Sequence, residues 1–216
     1  MLFDMDGTLV ESHENVERAW ITWAKRRGID ASALLANAHG LPAEATVARW
    51  LPGSDDDAIA AAAAEQLALQ YDDVTGIEPI EGVLDLLDFL DAMEHPWAVH
   101  TSADARLAQV RLAAAGIAPR VLVTRDQIER GKPAPDGYLR AAELLGVEPG
   151  ECIVVEDTVV GIEAGRAAGM TTVGVRDARG DLPLRTIADL HLWLTIALRG
   201  NDEGAAQPFP FPFPMA

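Results

Sequence analysis

The sequence predicts an α/β protein: a doubly wound parallel sheet with an all-helical segment inserted after its first strand. Three observations carry that expectation. The apolar lead-in Met1-Leu2-Phe3 runs into Asp4, Asp6 and Gly7, the pattern of a strand ending in a tight turn. Residues 13–78 show helical periodicity and no strand signal. Beyond Pro79, short β-rich runs alternate with helical ones, which is the signature of parallel strands joined by crossover helices.

Taken in order, the first helix is predicted over about 13–27, with Val16, Trp20 and Trp23 on one face and Gly28 placed to stop it. A second is predicted over 43–50. A third, alanine-rich helix covers about 55–71 with Ser54 as its cap. Then come a helix near 82–94, a strand near 97–101, a helix near 104–115 and a strand near 120–123. The series continues with a helix over 135–145, a strand over 152–156, a helix over 159–168 and a strand over 171–175. A last strand is expected near 189–192. The proline- and phenylalanine-rich tail, 201–216, reads as extended and disordered.

Composition excludes several classes of function. At 216 residues the chain can bury a sizeable core. A net charge of −17 argues against nucleic acid or an anionic membrane as partner, because both demand a basic face. No run approaches the roughly 18 apolar residues of a membrane span. No basic-then-apolar start marks a secretory signal. The one cysteine, Cys152, lies in an apolar run and reads as buried and structural, so a reducing cytoplasm is expected.

Ligands of open α/β sheets collect at the carboxyl ends of the strands. There the sequence offers Asp4 and Asp6 after the first strand and Thr101-Ser102 after the strand near 97–101. Gly131-Lys132-Pro133 follows the next strand, and Glu156-Asp157 ends the strand over 152–156. Side chains two apart on an extended chain share a face, so the first two acids converge. Each element has an ordinary structural reading: a cap, a turn, compensation of a helix dipole. Together, at one edge of one sheet, they suggest a metal or phosphate site.

This set, in this order, resembles the haloacid dehalogenase superfamily of phosphoaspartate-forming hydrolases. The likeness covers roughly residues 1–195 and extends through Glu156-Asp157-Thr158-Val159-Val160-Gly161-Ile162 to Ala167-Ala168-Gly169. It implies a catalytic core over 1–12 and 79–200 and an inserted all-helical cap over 13–78. Val16-Glu17-Arg18-Ala19-Trp20, the His39-Gly40 pair and His100-Thr101-Ser102 are similar to members that dephosphorylate small sugar and polyol phosphates.

The resemblance implies that Asp4 attacks phosphorus and forms an aspartyl phosphate, and that Asp6 protonates the departing alkoxide, then activates water. It implies Mg²⁺ held by the Asp4 carboxylate, the Asp6 carbonyl and Asp157, with Glu156 close by or bonded through water. An all-oxygen donor set suits that ion. Thr101 and Ser102 would hold phosphoryl oxygens beside Lys132. A phosphate dianion among three ionised carboxylates is repelled unless Lys132 and a divalent cation balance it.

His39 is expected to reach a substrate hydroxyl or phosphate, or else to face solvent. Trp20 and Trp23 read either as packing between cap helices or as an apolar wall against a sugar ring. Glu11 stands where many relatives carry Asp. The expected activity is a Mg²⁺-dependent phosphatase of small phosphorylated metabolites, working as a monomer or homodimer. The alternatives are a sugar phosphomutase on the same core and a non-catalytic phosphoryl-accepting signalling module. A dehalogenase is disfavoured, since that chemistry needs neither the second acid nor the metal.

Overall fold

The structure, a computed structural model, describes residues 1–38, 43–182 and 184–199. Its centre is a five-stranded sheet of β1 (Leu2–Phe3), β4 (Ala98–His100), β5 (Leu122–Val123), β6 (Ile153–Glu156) and β7 (Thr171–Gly174). All pairs are parallel and the spatial order is β5-β4-β1-β6-β7. The chain builds outward from β1 on one side, then returns to build outward on the other. A switch point therefore lies between β1 and β6, where such folds open a crevice at the strand ends.

Alternation along the strands sorts the core into two layers. Phe3, Val99, Val155 and Val173 face one side, against α5 (Val83–Ala92), α6 (Ala105–Ala114) and α9 (Ile187–Arg199). Leu2, Ala98 and Val154 face the other, against α7 (Asp136–Leu145) and α8 (Val159–Ala167). Cys152 is buried in that second layer, where desolvation pushes its thiol up in pKa. It is a packing residue, as expected.

Among the described residues, four helices lie between β2 (Val10–Glu11) and β3 (Glu78–Pro79): α1 (His13–Arg26), α2 (Ala31–Ala38), α3 (Ala43–Trp50) and α4 (Asp56–Tyr71). They enclose their own apolar cluster around Trp20, Trp23, Leu34, Val47, Ala62 and Ala63. The flanking strands β2 and β3 pair antiparallel, Val10 opposite Pro79 and Glu11 opposite Glu78, so the insertion leaves and re-enters at one point. Docking onto the sheet's helices includes the Tyr71 hydroxyl donating to Asp104 at 2.6 Å.

The structure departs from the sequence expectations at four places. Residues 189–192 are helical, within α9, because Leu190 and Leu194 bury at helical spacing against α5. The cap of α4 is Asp55, whose carboxylate accepts from the Ala58 N–H at 2.8 Å; Ser54 lies one residue outside. Helix α2 was not anticipated, although Asp30 caps it by accepting from the N–H groups of Ser32 and Ala33. The β2–β3 pair, two residues a strand, is too short for any periodic signal. The expected disordered tail, 201–216, lies outside the described residues.

Candidate active site

The first strand ends in a knot of backbone bonds. The Met5 carbonyl accepts from the N–H groups of Thr8, Leu9 and Val10, and the Gly7 N–H donates to Val10 at 2.9 Å. Met5 itself is fully buried, so it anchors the loop in the core while its neighbours face the crevice. Asp4 extends the ladder by one rung, its N–H donating to Val155 at 2.9 Å. Gly7 has φ +83°, and a Cβ there would sit 2.1 Å from Asp157 Oδ2. The turn can come this close to the β6 acids only because Gly7 has no side chain.

On the other side of the switch point, β6 ends in Glu156 and Asp157. Thr158 caps α8 with its hydroxyl, which accepts from the Gly161 N–H at 3.2 Å and donates to Glu156 Oε2 at 2.8 Å. The Thr158 N–H also donates to Oε2, at 3.0 Å. Glu156 Oε1 receives Lys132 Nζ at 2.6 Å and the Tyr138 hydroxyl at 3.0 Å. Both oxygens of this fully buried carboxylate are thus engaged by donors. Gly161 makes room for it, since a Cβ at that position would fall 1.7 Å from Oε1.

Lys132 stands between the two strand ends, donating to Asp4 Oδ1 as well as to Glu156. Its side chain is 4% exposed. Burial alone would lower the ammonium pKa, but the Asp4 and Glu156 charges outweigh it and raise it. Burial would raise Glu156, yet Lys132 and the Thr158 donors hold it below the usual carboxylate range. Asp4 goes the other way: burial drives it well above that range, against Lys132, and the Glu156 and Asp157 charges reinforce the rise. Asp157 is pushed up to about 6 by burial and by Glu156.

Three carboxylates therefore face one ammonium, and two of the three, Asp4 and Asp157, resist ionisation because they are buried beside like charge. Ligand oxygens from Asp4, Glu156 and Asp157 lie within 4.8 Å of one another. Among the described residues, the only side-chain bond reaching Asp157 is from the Thr8 hydroxyl, at 3.4 Å. A hard divalent cation fits this all-oxygen set and would supply the missing charge.

The remaining predicted residues divide. Thr101, buried, follows β4 beside β1, and its hydroxyl accepts from the Ala103 N–H at 3.0 Å; Ser102 next to it is exposed. Asp6 is half-buried, and its Oδ1 accepts from Ser12 and from Arg111, each at 2.7 Å. His39 lies outside the described residues. Trp20 and Trp23 stack edge-to-face at 5.5 Å inside the insertion, and the Trp23 indole donates to the Ala62 carbonyl at 2.9 Å. They are packing residues.

Sequence reasoning missed Tyr138, Thr158 and Arg111. Tyr138 carried no signal beyond lying near Lys132, whereas Thr158 stands directly before the helix expected over 159–168, the position of a cap. Arg111 did carry one: it follows Leu107 and Ala108 at helical spacing, a cation on the apolar face of α6.

A family profile described as haloacid dehalogenase-like hydrolase matches residues 1–169. The chain is 41% identical over 192 residues to hexitol phosphatase A of Escherichia coli K12, covering 88% of both chains. It is 33% identical to a fructose-1-phosphate phosphatase of the same organism, over 82% of this chain and 95% of that one. Among solved structures it resembles a hydrolase of family IA, variant 3, from Entamoeba histolytica. There the TM-score is 0.72 and the identity 28%, with 81% of this chain and 82% of that one covered.

Proposed function

The chain belongs to the haloacid dehalogenase-like hydrolase family, and on that footing we propose that it is a Mg²⁺-dependent phosphatase of small phosphorylated sugars or polyols. The observation that carries the reading is the convergence of Asp4, Glu156 and Asp157 from opposite sides of the switch point, with Lys132 between them. The substrate class is supported by relatives named for hexitol and fructose 1-phosphate.

In this reading Asp4 is the nucleophile. One of its oxygens bonds to phosphorus while the ester P–O bond breaks, and Asp6 gives its proton to the departing alkoxide. Water then attacks phosphorus, loses a proton to Asp6 and releases Asp4 and inorganic phosphate. Lys132 stays protonated and orients Asp4, while Glu156, committed to Lys132, Tyr138 and Thr158, holds the lysine in place. Thr101 and Ser102 bind phosphoryl oxygens. Asp4, Asp157 and the Asp6 carbonyl would hold Mg²⁺, with Glu156 adjoining. When bound, the ion offsets the repulsion between phosphate and carboxylates and stabilises charge on the transferring phosphoryl group.

Residues 13–78 act as a cap over the core of 1–12 and 79–200, and select the substrate. His39 remains a proposed contact from that segment. Among the described residues no helix is long and apolar enough to cross a membrane, and a cytoplasmic setting suits a phosphorylated metabolite. A phosphomutase has less support, because the named relatives quoted above are phosphatases.

The test is phosphate release across a panel of hexitol, hexose and glycerol phosphates, with Mg²⁺ and with excess chelator. Turnover of at least one, lost in chelator and in Asp4→Asn, is the expected result. Full activity in chelator overturns the reading, and isomerisation without phosphate release replaces it with a mutase.

A further inference from the structure

Arg111 occupies an unusual position. It lies on α6, in the core, with its side chain 4% exposed, and its guanidinium spans two parts of the molecule. One nitrogen, Nη1, donates to Asp6 Oδ1 at 2.7 Å. The other, Nη2, donates to Gln70 Oε1 on α4 at 2.6 Å and to Asn15 Oδ1 on α1 at 3.2 Å. Gln70 in turn donates to Gln66 Oε1 at 2.8 Å. A continuous string of polar contacts therefore runs from Asp6 into the interior of the inserted helices. All four of its members beyond Asp6 (Arg111, Asn15, Gln70 and Gln66) are buried.

A buried guanidinium must keep its partners, because leaving its charge unpaired is strongly unfavourable. It is also planar, with its donors in a fixed fork, so the direction of Nη2 fixes the direction of Nη1. With α1 and α4 docked, Nη2 is held by two amide oxygens and Nη1 is aimed at Asp6. With those helices displaced, Nη2 loses both acceptors and Arg111 has no fixed orientation to impose. Ser12, the other donor to Oδ1, immediately precedes α1 and belongs to the same junction.

We infer that Arg111 is a positioning residue that aligns the Asp6 carboxyl for proton transfer when the inserted helices are docked, so that the proton donor is set by cap and core together. The inference rests on the reading of Asp6 as proton donor. It does not require Arg111 to touch substrate.

The experiment compares two esters. Loss of an alkoxide from a hexitol phosphate needs the Asp6 proton, whereas 4-nitrophenyl phosphate expels 4-nitrophenolate, a stable anion that departs without a proton. kcat/KM reports the chain of steps up to leaving-group departure, so it isolates this difference. For Arg111→Met, kcat/KM on the hexitol phosphate should fall about 10²-fold while that on 4-nitrophenyl phosphate falls roughly threefold, the scale of a misplaced acid. Gln70→Leu leaves the Asp6 contact in place and removes one of the two amide oxygens that hold Nη2, Asn15 remaining as the other; its loss should be smaller and show the same bias.

Thermal melting of each variant checks that it is folded, and Gln70→Leu serves if Arg111→Met is not. Equal losses on both esters in either folded variant, or no loss in either, overturn the inference while wild-type turnover stands. Absence of Asp4-dependent turnover in the wild type overturns the phosphatase reading and this inference with it.

Discussion

Lys132 Nζ and Glu156 Oε1 lie 2.6 Å apart in the floor of the site, both side chains almost wholly shielded from water. The pair joins the loop after β5 to the end of β6, and through Asp4 it reaches the end of β1. An ammonium in such a place is held by its neighbours, and they are held by it.

Removing it is therefore expected to do more than slow catalysis. Lys132→Met leaves Asp4 and Glu156 buried without their counter-charge, a change that costs about 3–5 kcal/mol when one partner of a buried pair is deleted. Urea unfolding in chelator should show that loss, and excess Mg²⁺ should recover part of it. Phosphate release should fall below detection. Wild-type stability in the variant would show that the pair is held apart by solvent.

Gly161→Ala tests how tightly Glu156 is seated. The added methyl would lie 1.7 Å from Oε1, so the carboxylate must move, and with it Lys132. Overpacking of this kind costs about 1–3 kcal/mol. Turnover should drop together with stability, whereas an unchanged enzyme would mean that Glu156 can shift without consequence.

Trp23→Ala probes the inserted helices alone. The indole is fully buried and donates to Ala62, and its loss should cost about 3–5 kcal/mol. The expected signature is an early transition by tryptophan fluorescence that leaves the sheet intact. Retention of a single cooperative transition at the wild-type midpoint would contradict it.

A pH effect follows from His100. Burial, with the Lys132 charge, pushes its pKa down to about 3, so the ring is neutral in the fold and protonates readily only once unfolded. The unfolded chain then binds more protons between pH ~6.5 and pH ~3, and stability from this group is fully present above that window and lost as pH falls through it. The slope is about 1.4 kcal/mol per pH unit. Unfolding free energies at pH 7.5 and pH 5.0 should differ less for His100→Gln than for wild type; equal differences would mean that the ring is already charged in the fold.

Much of this was legible in the sequence because the strand ends punctuate it with chemistry. Asp4, Lys132 and Glu156 each close or follow an apolar run, and a parallel sheet carries such points to one edge. What stayed hidden depended on distance in space. Nothing near Asp6 in sequence announces Arg111, 105 residues away, as its partner. Nothing local gives Tyr138 its bond to Glu156. The final helix was misjudged because a short window over 189–192 cannot separate alternation from helical spacing, whereas Leu190 and Leu194 together can. Ser54 and Asp55 are both good capping residues, and only the backbone, extended at Asp55, chose between them.

The pairing of Val10 with Pro79 and of Glu11 with Glu78 makes one narrow seam where the helical insertion is sewn to the sheet. None of the five strands of the central sheet lies between those stitches, so the order of the strands does not depend on the folded piece they hold. On the proposed division into cap and core, substrate choice and phosphorus chemistry would be able to drift separately over evolutionary time, joined at the seam and by the grip of Arg111. A chimera carrying a foreign insertion would need to supply two amide oxygens for that grip before it worked well.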